Sequence, residues 1–71
     1  MRLYLKDVPA AYRFEEWQYS IGFIGKQDLR ISIDEWALKT FGTPHIEWSP
    51  RIGGWYFKNK KDMFLFSLVW A

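Results

Sequence analysis

Five Trp, four Tyr and six Phe in a chain of 71 residues, with no cysteine to staple it, limit the folds open to this sequence more than any other feature. A chain this short removes from water only about 60% of the surface its unfolded form exposes. Its core must therefore come from a few large side chains, each ring burying roughly 150–250 Å². The missing cysteines exclude disulfides and thiolate metal sites, which points to a reducing compartment. The longest apolar run, Met63 to Trp70, contains Ser67 and is far shorter than the ~20 residues that span a bilayer. Lys6 and Asp7 interrupt the apolar N-terminus where a signal peptide would need an unbroken stretch. The sequence reads as a single domain, residues 1–71, expected to be soluble, cytoplasmic and without a membrane partner.

The apolar pattern supplies the elements. Arg2 to Asp7 alternates, with Leu3 and Leu5 on one side and Arg2, Tyr4 and Lys6 on the other, so a half-buried strand is expected before Pro9. Trp17, Tyr19, Ile21 and Phe23 recur at a spacing of two and predict a strand with one aromatic face. Tyr12 and Phe14 have the opposite parity, which calls for a bulge or bend near Glu15 and Glu16. Ser32-Ile33-Asp34-Glu35 has the form of a capping box and predicts a helix starting at Ile33, with Ile31 and Trp36 as a hydrophobic staple. Gly42 and Pro44 mark its end.

A hairpin follows, from His45–Trp48 through a loop at Ser49–Gly54 to Trp55–Lys58. Asn59 is placed to cap a short helix with Asp62 in its first turn, and the alternation of Phe66, Leu68 and Trp70 predicts a final strand. Met63 to Leu65 reads either way. From Trp17 onward the order is strand, helix, strand, strand, short helix, strand. This is the ferredoxin-like split βαβ order with an extra N-terminal strand: an α+β domain whose small antiparallel sheet carries two helices on one face. Parity puts Trp17, Tyr19, Ile21, Phe23, Ile46, Trp48, Trp55, Phe57, Leu68 and Trp70 beneath the helices. Gln18, Ser20, His45, Glu47, Tyr56, Lys58, Ser67 and Val69 fall on the opposite face.

The C-terminal half carries a further pattern: Trp36 to Phe41-Gly42, Trp48, Trp55-Tyr56-Phe57, then Asp62 with Phe66-x-Leu68-x-Trp70. It resembles small uncharacterised proteins of tailed phages, in which a Trp-bearing helix ends in Phe-Gly and the chain closes on Asp-x-x-x-Phe-x-Leu-x-Trp. The resemblance covers about half the chain, and Met63 stands where a small residue such as Ala would be expected. It implies a phage origin and a size class, with no activity or site attached.

No residue pattern points to catalysis, a metal or a cofactor. His45 is the single histidine and lacks visible triad or metal partners. Glu15 and Glu16 are sequence neighbours that point to different sides, and Asp34 and Glu35 have a helix-start role. Gly53-Gly54 lacks the remaining glycines and the Lys-Ser/Thr ending of a phosphate loop. The leading expectation is a non-catalytic binding module that occupies a host or phage protein and modulates or inhibits it. Tyr4, Tyr12, Phe14, Trp17 and Tyr56 are its contacts, and Arg2–Asp7 is an edge for a partner strand.

Two further readings remain open. Arg51 to Phe57 resembles the aromatic strand of RNA-recognition modules, so single-stranded nucleic acid could stack on Trp55 and Tyr56 beside Arg51, Lys58, Lys60 and Lys61. The formal charge of +2 is too small to argue for that by itself. A minor virion or assembly component is the other. A homodimer is also compatible with so many aromatics.

Overall fold

The computed structural model describes residues 2–70. Four strands, β1 (Arg2–Lys6), β2 (Tyr19–Ile24), β3 (Trp48–Arg51) and β4 (Gly54–Phe57), form one antiparallel sheet in the order β1-β2-β4-β3. Three helices, α1 (Ala10–Arg13), α2 (Gln27–Phe41) and α3 (Lys60–Trp70), complete the α+β fold. Because β4 is antiparallel to both β2 and β3, those two strands run parallel with β4 between them. The unit β2–α2–β3 is thus a split βαβ, and β1 lies at the sheet edge beside β2.

Side-chain alternation gives the sheet two different faces. Toward α2 and α3 it presents Ile21, Trp48, Trp55 and Phe57, which pack with Ile33 and Ala37 of α2 and with Met63 and Phe66 of α3. Phe66 sits between the Trp55 and Phe57 rings, with centroids 4.8 and 5.3 Å away. Trp36 extends the cluster to Phe41, Phe66 and Trp70 by near-perpendicular ring contacts, the arrangement that aromatic quadrupoles favour. On the other face a smaller cluster joins Val8, Trp17 and Tyr56 under Tyr12. Gly22 and Gly54 stand opposite each other in the central strand pair. A Cβ at Gly54 would collide with the Ile21 carbonyl oxygen, and one at Gly22 with the Tyr4 ring.

β1, β2, the hairpin and the Gly42 stop of α2 agree with the sequence pattern; Gly42 adopts φ 88° and donates its N–H to the Leu38 carbonyl. Other elements differ, each for a physical reason. Helix α2 begins at Gln27, so Ser32 is interior, and its hydroxyl donates to the Asp28 carbonyl one turn back. No breaker separates Gln27 from Ile33, and Leu29 lies four residues before Ile33 on the same stripe. The added turns also bring Arg30 to the hairpin, where its guanidinium donates to the Arg51 and Gly54 carbonyls at 2.9 and 3.0 Å.

At the C-terminal end the expected strand is helix throughout. Met63, Phe66 and Trp70 are spaced i, i+3, i+7 and face the core, which leaves Leu68 81% exposed. The ferredoxin-like order therefore stops short of its last strand. In the hairpin the loop narrows to Ile52 and Gly53, with Ser49, Pro50 and Arg51 inside β3, and Ile46 is exposed in a turn before it. Trp17 precedes β2 and belongs to the second face. The bend expected near Glu15 and Glu16 is a turn after the short helix α1, with Glu16 at φ 71°.

Because Ser32 is interior, Ser32→Ala is expected to raise stability by about 0.5 kcal/mol. Loss of an N-cap would instead lower it by ~1 kcal/mol. Urea denaturation of the two proteins distinguishes the signs.

Candidate interaction surface

The five contact residues expected from sequence separate by depth. Trp17 and Tyr56 are 4% and 8% exposed and form the second-face cluster with Val8. Tyr12, half-buried, lies on Tyr56 with ring centroids 5.3 Å apart, and Tyr4 lies over Gly22. Phe14, at the end of α1, is 90% exposed. Two cations fix this face. The Arg51 guanidinium stands 5.3 and 5.5 Å from the Tyr12 and Tyr56 rings, and Lys58 stands 5.1 Å from Trp17. Glu15 and Glu16 approach the same two cations at 3.9 and 3.8 Å.

Of the nucleic-acid residues, Arg51 and Tyr56 meet on the second face, and Trp55, Lys60 and Lys61 lie apart from them. Trp55 is fully buried on the helix-facing side, its N–H donated to Asp34 at 2.6 Å. Tyr56 is covered, so neither ring offers a face for a base to stack on. Lys60 and Lys61 lie in the first turn of α3, while Arg51 and Lys58 lie beside acidic partners.

His45 adopts φ 70° in the turn before β3, and its Nδ1 is 2.7 Å from the Ser49 hydroxyl. Ser49 is fully buried, so that pair joins the turn to β3 with its hydroxyl out of reach of a substrate. Among the described residues no cluster of His, Cys, Asp or Glu is placed to hold a metal ion, and no helix is long and apolar enough to cross a membrane.

The surface that sequence reasoning missed lies at the open sheet edge. The other edge strand, β3, carries Pro50, which has no N–H to offer an incoming strand. β1 has no proline. Its Leu5 is 74% exposed and borders the same cleft as Ser67 of α3. At 3.6 residues per turn, the flank of α3 that carries Ser67 also carries Lys60, Phe64 and Leu68. Phe64 and Leu68 are exposed, with Leu65 and Val69 farther round the helix. Ser67 is thus the residue of α3 shown beside the free strand edge, at the margin of the exposed apolar side of the helix. Helical period applied to residues 60–70 would have found it, because Phe64, Leu65 and Leu68 fall opposite Met63, Phe66 and Trp70.

Comparison with family models, with curated proteins and with solved structures returned no match.

The depth of these side chains sets what their replacement does. Trp17→Ala is expected to cost about 3–5 kcal/mol of stability. Phe14→Ala should stay within about 0.5 kcal/mol of the parent. Guanidinium chloride titrations followed by Trp fluorescence read both.

Proposed function

We propose that this chain is a non-catalytic binding module that engages another protein by accepting one of its extended segments along β1. The observation that carries the reading is the proline-free β1 edge, whose exposed Leu5 shares a cleft with Ser67 of α3 next to the exposed Phe64 and Leu68 of that helix. Backbone hydrogen bonds along an added strand supply affinity, and alternate side chains supply specificity. On the helix side, apolar residues of the partner strand would lie against Leu5, Phe64 and Leu68. On the other side they would meet Arg2 and Lys6, which favours carboxylates. The preferred partner is therefore a segment that alternates apolar and acidic residues.

Charge also argues against a second copy as the occupant. In an antiparallel pairing of two β1 strands centred on Tyr4, Arg2 of one copy stands opposite Lys6 of the other. With the phage resemblance, the reading becomes a small phage-encoded protein that occupies a host or phage protein and thereby modulates it. A partner inside a virus particle would satisfy the same geometry, and co-sedimentation with particles would identify that case.

The test uses two synthetic peptides of equal length, one alternating Val and Glu and one alternating Val and Lys, titrated into the isotope-labelled protein. The acidic peptide is expected to shift amides of residues 2–6 and the exposed flank of α3. It should bind Phe64→Glu/Leu68→Glu at least about tenfold more weakly, a loss of ~1.4 kcal/mol. Shifts spread over the second face, equal binding of both peptides, or Trp quenching by a short oligonucleotide in their place would overturn the reading.

A further inference from the structure

Leu3, Tyr4 and Leu5 of β1, Ile21 of β2 and Ser67 of α3 line a hollow of about 100 Å³. Sheet parity assigns its walls. Leu3, Leu5 and Ile21 stand on the helix-facing side, whereas the Tyr4 ring lies over Gly22 on the other face, so Tyr4 contributes its backbone. Ile21, 2% exposed, closes the inner end. Leu5 is the exposed wall, and it belongs to the strand at the sheet edge. The hollow therefore opens toward the side on which an added strand would lie.

A single residue of α3 roofs it. Met63 and Phe66 of that helix fill the space over the centre of the sheet. Next to Phe66 the helix carries Ser67, and a side chain this short leaves open the space that a longer one would occupy. The side chains of Leu3, Leu5 and Ile21 offer no hydrogen bond, so water in the hollow has little to hold it. An aliphatic group displaces such water favourably.

Volume limits what can enter. An apolar cavity of ~150 Å³ takes one benzene ring, so by proportion a hollow of about 100 Å³ takes roughly four carbon atoms. The butyl groups of Leu and Ile have that size, and a phenyl or indole ring exceeds it. Reach is the second limit. In an antiparallel pair, residues directly opposite share a face, and diagonal neighbours about 7–8 Å apart remain within reach of long side chains. A residue of an added strand diagonal to Leu3 or Leu5 on the helix-facing side can thus place its end between those two leucines.

We infer that this hollow is the anchor pocket of the β1 edge: it takes one Leu or Ile side chain of the partner strand, and Ser67 sets that preference. The inference rests on the reading of β1 as the site of strand addition. It narrows the partner from a segment of alternating apolar and acidic residues to one with a branched aliphatic residue at a fixed position. Ser67 acts by its small size, and a larger side chain in its place would occupy the pocket from within.

The probes are three peptides that alternate Val and Glu, with the central Val replaced by Ala, Leu or Phe, titrated into the isotope-labelled parent and Ser67→Leu. In the parent, the Leu peptide is expected to bind at least about tenfold more tightly than the Ala and Phe peptides. Its central methyl groups should show nuclear Overhauser contacts to Leu3 and Ile21. In Ser67→Leu the advantage of the Leu peptide should disappear, while the Ala peptide keeps its parent affinity. A purely structural role for Ser67 would weaken all three peptides alike, and that result overturns the assignment. Equal binding of the three to the parent, with amide shifts at residues 2–6, also overturns it and leaves strand addition on β1 standing. If no peptide shifts residues 2–6, strand addition itself fails, and the anchor pocket falls with it. Should Ser67→Leu fail to fold, Ser67→Val decides the question by the same criterion.

Discussion

The indole of Trp55 is the point at which the helices, the hairpin and the sheet are tied to one another. The Arg30 guanidinium of α2 lies 4.2 Å from its ring centroid, and Phe66 of α3 and Phe23 of β2 lie 4.8 and 5.5 Å away. Its N–H is satisfied by Asp34, which also pairs with Arg30 at 3.3 Å. Arg30 in turn donates to both strands of the hairpin beside its turn. Each polar group thus has a partner, and a large ring can be buried without leaving a donor unsatisfied. The same ion pair exposed to solvent would contribute little. Here its value lies in fixing where α2 meets the hairpin.

From that junction the two sheet faces take different roles. The helix-facing side absorbs most of the large rings, and the second face holds a smaller group in which Arg51 and Lys58 rest on Tyr12, Tyr56 and Trp17. Those rings are spent on the fold. The large apolar side chains left exposed include Leu5 of β1 and Phe64 and Leu68 of α3, and β1 has one unoccupied edge. The helix α3 is therefore two-sided: Met63 and Phe66 complete the core, while Phe64 and Leu68 extend away from it.

Period two made β1, β2 and β4 legible in the sequence, and Gly42 marked the end of α2. Three features stayed hidden for different reasons. The start of α2 depends on Arg30 reaching hairpin carbonyls distant in sequence, which no local capping pattern reports. Phe66, Leu68 and Trp70 alternate, yet Met63, Phe66 and Trp70 fit helical spacing equally, and an unbroken apolar run satisfies both periods. Trp17 shares the parity of Tyr19, but the turn at Glu16 and the late start of β2 rotate it to the other face. Of the expected contacts, Phe14 alone is fully exposed, because aromatic identity does not say whether a ring is buried. The Leu3 and Leu5 alternation did mark the strand whose edge remains open.

The glycine pair at the centre of the sheet has a consequence for descent. Gly22 and Gly54 face each other where β2 and β4 pair, with the Ile21 carbonyl and the Tyr4 ring filling the space that side chains would take. Gly54 has no small tolerated step, since the first carbon added meets backbone, whereas at Gly22 it meets the far end of the Tyr4 side chain, which can turn aside. The rings around them can be exchanged for others of similar volume. Over generations the aromatic composition can drift while Gly54 stays, so a distant descendant would keep its lineage in one residue that makes no hydrophobic contribution at all.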